Sequence, residues 1–157
     1  MIQRIQSVFL ALVFLLGMVL FVSPVLSFTS YENTFLMNAY HTINSVDNTV
    51  VSKNIGIGAM QGLVALLALV SVFLYKKRQL QIKLCKLNIL LVAIQIAAIV
   101  LYIDVAKETI SPTSPNDILI GIKYGAIFPI LSLIFLYLSI RFIKKDEDLV
   151  RSADRLR

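Results

Sequence analysis

IGIGAMQGLVALLALVSVFLY, residues 55–75, carries no charged side chain and is followed at once by Lys76, Lys77 and Arg78. About 20 apolar residues in a helix cross a hydrocarbon core roughly 30 Å thick. At that depth no water can satisfy an open peptide group, so the backbone must close its own hydrogen bonds. The stretch is too long and too unalternating for a barrel strand. It reads as a membrane-spanning helix that stops at a cluster of cations.

The same reading extends outward to residues of about 5–26, 84–103 and 118–142. Across the 157 residues, 58% are hydrophobic and only 15% charged, and the mean hydropathy is +0.83. Globular domains run at roughly 45 to 50% apolar and about 25% charged, so a soluble fold is excluded.

Basic residues set the orientation, because cytoplasmic loops retain Lys and Arg. Arg4, the group Lys76, Lys77, Arg78, Lys83 and Lys86, and the group Arg141, Lys144, Lys145, Arg151, Arg155 and Arg157 share one side; Lys53, Lys107 and Lys123 hold the other. The fold expected is an all-α membrane protein, one domain over residues 1–157. It has four transmembrane helices, both termini cytoplasmic, an outer loop at 27–54, a cytoplasmic loop at 76–86 and a cytoplasmic helical tail at 143–157. The apolar run after Arg4 exceeds the 7 to 15 residues typical of a signal peptide, which favours a retained first helix.

The outer loop is rich in Ser, Thr, Asn and Tyr, and suits a small β-hairpin or an interfacial cap over the bundle, with turns at Asn33, Asn44, Asn48 and Asn54. Ser111-Pro112-Thr113-Ser114-Pro115 makes a stiff connector, and Asn116 or Asp117 is placed to cap the fourth helix. In the tail, Lys144 with Asp148 and Glu147 with Arg151 form i,i+4 pairs, while Leu149, Val150, Ala153 and Leu156 form an apolar stripe that needs a partner surface.

Polar residues within spans are costly unless partnered. Asn88 and Gln95 fall on one face of the third span, with Gln61 as a candidate partner in the second; interhelical packing is the role expected of them. Gly58 with Gly62 and Gly121 with Gly125 are two small-xxx-small pairs, candidates for close helix packing, and Pro129 is positioned to kink the fourth helix. Lys123 is the one cation inside a span away from its cytoplasmic end, expected to snorkel outward or to pair with Asp104 or Glu108.

Three blocks are more distinctive: MIQRIQS at 1–7, LYKKRQLQIKLCKLNIL at 74–90 and KDEDLVRSADRLR at 145–157. They resemble a family of small four-helix inner-membrane proteins of Bacteroidota that is catalogued only as a domain of unknown function. The resemblance covers the whole chain and implies a retained first helix in a bacterial inner membrane. It supplies no catalytic or binding residues.

Chemistry is hard to find. There is no Ser-His-Asp or Cys-His set and no phosphate-binding glycine loop, and the single His41 has no metal-spaced companion. No catalytic residue, metal or cofactor is expected. The expectation is a non-enzymatic accessory or scaffold subunit that engages a membrane complex or anionic lipid through Lys76, Lys77, Arg78, Lys83, Lys86, Leu149, Arg151, Arg155 and Arg157. A homo-oligomeric transporter or channel lined by Gln95, Asn88 and Lys123 is the alternative. The basic residues are interleaved with apolar ones at a membrane surface, which argues against nucleic acid.

Overall fold

Apolar runs without internal Pro close their backbone bonds as helices, and four form: α1 (Gln3–Val22), α2 (Ile55–Phe73), α3 (Arg78–Ile110) and α4 (Ile127–Arg155). The structure is a computed structural model that describes residues 3–30, 33–75, 77–110 and 117–155, with the backbone alone for 3, 4, 151 and 153–155. All four helices are long and apolar enough to cross a membrane. At 1.5 Å per residue α1 and α2 are about 30 Å long, the thickness of a hydrocarbon core, whereas α3 and α4 are longer than that thickness at about 50 and 43 Å.

Each helix packs most closely on two others, in the ring α1–α2, α2–α3, α3–α4 and α4–α1. Phe9 of α1 stacks on Phe135 and Phe142 of α4, with ring centroids 5.9 and 5.6 Å apart. One half of the core joins Leu10, Val13, Val64, Ala68, Val92, Leu136 and Ile143. The large apolar side chains on the outward faces, such as Leu15, Leu66, Leu90, Ile94 and Ile134, remain exposed as a lipid-facing surface would.

The loop at 27–54 is more than a hairpin. It folds as a four-stranded meander, β1 (Leu26–Ser30), β2 (Asn33–Met37), β3 (His41–Asn44) and β4 (Val50–Lys53), and a fifth strand, β5 (Leu119–Ile122), adds antiparallel to β1. The order is β4-β3-β2-β1-β5. Phe28 stands opposite both Phe35 and Ile120, and Leu26 opposite both Met37 and Ile122. Alternate residues Phe35 and Met37 point inward and, with Leu26 and Phe28, join Leu20, Ile57, Ile99 and Ala106 in the second half of the core. The sheet therefore caps one end of the bundle, while the α2–α3 connection and the ends of α1 and α4 nearest the termini occupy the other.

Asn44 accepts from the amide of Val46 through its side-chain oxygen, and Asn48 takes a positive φ of 53° in the β3–β4 turn, a conformation that Asn tolerates better than most residues. Asn54 closes the cap. Its side-chain nitrogen donates to Thr42 Oγ1 at 2.9 Å, its amide to the Tyr40 carbonyl at 2.7 Å, and its carbonyl receives the amide of Ile57 in α2 at 3.0 Å.

Three expectations need correction. The all-α reading gives way to a helical bundle with a sheet, and the fourth span does not begin at 118: Leu119–Ile122 is strand, Tyr124–Ala126 a 3-10 turn, and helix starts only at Ile127. Ile-rich segments of four or five residues satisfy strand and helix patterns alike, and pairing with β1 decides. It follows that Asp117 does not cap α4, and that Pro129 lies in the first turn of α4, where its missing N–H costs no bond, so it is not a kink inside the helix. Finally, the segment at 76–86, expected to be a loop, is mostly helix, since α3 begins at Arg78; Lys, Gln, Leu and Arg are good helix formers. Lys76, the connector at 111–115, Asn116 and Arg157 lie outside the described residues.

Gly121 and Gly125 sit on the strand and the 3-10 turn, so they pack no helix against helix. They matter there for another reason. A Cβ on Gly125 would stand 2.5 Å from the Pro24 carbonyl oxygen, and one on Gly121 would stand 2.5 Å from Ser27 Oγ. Gly125→Ala must push the α1–β1 corner away from the start of α4 and should destabilise by about 1–3 kcal/mol. Gly62→Ala, whose nearest new neighbour would be 4.0 Å away at Phe21, should change stability little. Thermal unfolding of both variants in the same detergent checks the contrast.

Candidate functional site

The polar residues of α3 recur every seven positions as Gln81, Asn88 and Gln95, all fully buried. Seven residues are close to two helical turns, so the three share one face, and that face lies on α2. Gln81 Nε2 donates to the Ser71 carbonyl at 3.0 Å, Asn88 Nδ2 to the Val64 carbonyl at 3.2 Å, and Gln95 Nε2 to Gln61 Oε1 at 2.7 Å. As the acceptors fall from 71 to 61 the donors rise from 81 to 95, the register of an antiparallel pair. Each of the three leaves its carbonyl oxygen without a partner among the described residues. A half-satisfied row of this kind adds little net stability and acts mainly to fix which turn of α3 meets which turn of α2.

Gln61 also touches the first helix. A Cβ on Gly17 would lie 2.5 Å from Gln61 Nε2 and 3.3 Å from Ala65 Cβ, so Gly17 lets α1 approach α2 beside the amide row. Gly58 faces the cap instead, where its added Cβ would meet the Tyr40 ring at 2.5 Å and the Ala39 carbonyl at 3.1 Å. The glycine spacing thus singled out Gly58 and Gly62, whereas the close α1–α2 approach is at Gly17. The only sequence signal for it is one small residue in a run of large ones.

Lys123 does not join Asn88 and Gln95. It precedes the 3-10 turn, its amide donates to the Val25 carbonyl at 3.1 Å, and it has no ion pair among the described residues. No three His, Cys, Asp or Glu side chains gather among the described residues. Cys85 is a free, buried thiol.

At the end opposite the sheet the candidate partner residues separate into two sets. Lys77, Lys83 and Lys86 are exposed. Arg78 is committed internally, with its guanidinium 3.0 Å from Asp146 Oδ2 of α4, and the neighbouring Gln79 donates to Glu147. Asp146 is only 7% exposed, so this pair fixes the first turn of α3 to α4. The i,i+4 pair expected between Lys144 and Asp148 does not form; Glu147 turns to Gln79 instead, and the side chains of Arg151 and Arg155 lie outside the described residues. Past this clamp α4 continues to Arg155 with Leu149 and Val150 exposed at 48% and 43%.

The family profile described as "Domain of unknown function (DUF4293)" matches residues 2–156. The chain belongs to the DUF4293 family. Comparison with curated proteins gives no match. Membership in DUF4293 carries no activity with it, so any role must be argued from the clamp, the amide row and the overhanging helix.

The row makes a direct prediction. Gln95→Leu alone leaves Gln61 Oε1 unpaired and should cost about 1–2 kcal/mol, whereas Gln95→Leu with Gln61→Leu removes both partners and should be close to neutral. A double-mutant cycle by denaturant unfolding in mixed micelles measures the coupling.

Proposed function

We propose that this DUF4293 protein is a non-enzymatic integral inner-membrane subunit, with both termini and the α2–α3 connection in the cytoplasm, that docks a membrane complex through the end of α4. The observation that carries the reading is the overhang. α4 runs beyond the start of α3, is fixed by Arg78–Asp146, and then presents Leu149 and Val150 as exposed apolar side chains outside both core clusters. A rigid, clamped helix loses little conformational entropy when it docks. Two adjacent exposed apolar residues on a charged helix suit a hydrophobic groove in a partner.

The distribution of Lys and Arg supports the orientation, and exposed Lys77, Lys83 and Lys86 are suited to contact anionic head groups at about 1 kcal/mol each. The tested prediction separates the clamp from the overhang. Affinity purification in mild detergent should recover a stoichiometric partner with the full chain, and should lose it both on truncation after Asp148 and with Leu149→Glu plus Val150→Glu. Mass spectrometry reads the outcome. A partnerless full-length protein, or a partner retained by both variants, contradicts the proposal.

A further inference from the structure

The outward face of α4 is a continuous stripe. Ile127, Ile130, Ile134 and Tyr137 recur at three- and four-residue spacing, and all are exposed. Continued at the same spacing, the stripe reaches Arg141, Lys144, Lys145 and Asp148, also exposed. A face that meets acyl chains therefore turns cationic where the helix leaves the apolar layer. Two clefts lie on this boundary. One, of about 200 Å³, is lined by Leu138, Arg141, Phe142 and Lys145. The other, of about 460 Å³, is lined by Arg141, Lys144, Lys145, Asp148 and Leu149. Arg141 and Lys145 line both, so the two clefts adjoin.

Three cations within one helical turn repel one another, yet none has an ion pair among the described residues, where Arg78–Asp146 is the pair that forms. With Asp148 the larger cleft carries a net charge of two positive units. An anion would relieve that repulsion, and Arg offers a planar fork matched to phosphate oxygens. The apolar part of the smaller cleft selects the source of the phosphate, because a free ion has no use for Leu138 and Phe142 whereas a phospholipid does.

We propose that Arg141, Lys144 and Lys145 form a headgroup site for an anionic phospholipid with two phosphates, whose acyl chains run along Leu138, Phe142 and Ile134. The site rests on the membrane-spanning reading above but needs no protein partner. A purified, partnerless chain that still retains the lipid would overturn the docking proposal alone.

The experiment is native mass spectrometry of the full-length protein in neutral detergent, titrated with tetraoleoyl cardiolipin, dioleoyl phosphatidylglycerol or dioleoyl phosphatidylcholine. One equivalent of cardiolipin should bind at least tenfold more tightly than phosphatidylglycerol, and phosphatidylcholine more weakly still. Arg141→Gln with Lys145→Gln should lower cardiolipin affinity at least tenfold, whereas Lys53→Gln with Lys107→Gln, which removes the same charge elsewhere, should leave it within about twofold. Arg141→Lys keeps the charge and loses the fork, and an intermediate loss is expected; it also serves if the double variant fails to fold. Inorganic phosphate at about 10 mM should not displace the lipid. Equal affinity for the three lipids, equal loss in both double variants, or displacement by inorganic phosphate overturns the proposal, as does equal affinity for cardiolipin and phosphatidylglycerol.

Discussion

For four helices long and apolar enough to cross a membrane, the governing constraint is that hydrocarbon accepts no hydrogen bonds. Peptide groups in the apolar runs must pair within the run, which makes α1 to α4 helices. A side-chain amide carried into such a run gains from pointing at another amide or at a neighbouring carbonyl. Gln81, Asn88 and Gln95 do so by turning together onto α2, where Ser71, Val64 and Gln61 accept from them. Hydrophobicity cannot choose a register between helices surrounded by lipid, because lipid tails are as apolar as Leu. Three amides at a seven-residue interval can. A shift of one residue would rotate all three away from their acceptors.

The sheet follows from the same constraint at its limit. Strand edges are tolerated where water can reach them, so irregular and extended backbone collects at one end of the bundle. There it also solves a connection problem. β5 leaves α3 and pairs with β1, which leaves α1, and the Pro24 carbonyl receives the amide of Gly125 at 3.1 Å. α1 and α4, far apart in sequence, are thereby joined at the cap, as they are joined by Phe9 within the bundle and as α3 and α4 are joined by Arg78 and Asp146 at the far end.

The four apolar helices were legible because long runs with few charges have few alternatives, and the inward face of Asn88 and Gln95 was legible because their spacing is close to two turns. Other features were less so. Residues 118–126 are as apolar as the helix they precede, and only their pairing with Leu26–Thr29 marks them as strand. Gln81 extends the row by one more heptad, but it stands among Lys and Arg, where a charge pattern suggests loop. Arg78 and Asp146 were visible as charges and invisible as a pair, since they lie 68 positions apart. The glycine spacing pointed to Gly121 and Gly125 on a helix that in fact begins after them, while the backbone approach that needs a glycine between α1 and α2 is at the isolated Gly17.

The account stands or falls on which side of the membrane the clamped end faces, because docking through α4 presumes cytoplasm there. Cys85 is buried, so in a Cys85→Ala background single cysteines can be placed at Val46, in the exposed β3–β4 turn, and at Ser152, on the overhang. Labelling with a membrane-impermeant maleimide in spheroplasts should modify Val46→Cys directly and Ser152→Cys only after permeabilisation. Immediate labelling of Ser152→Cys with protection of Val46→Cys would invert the bundle and contradict the account.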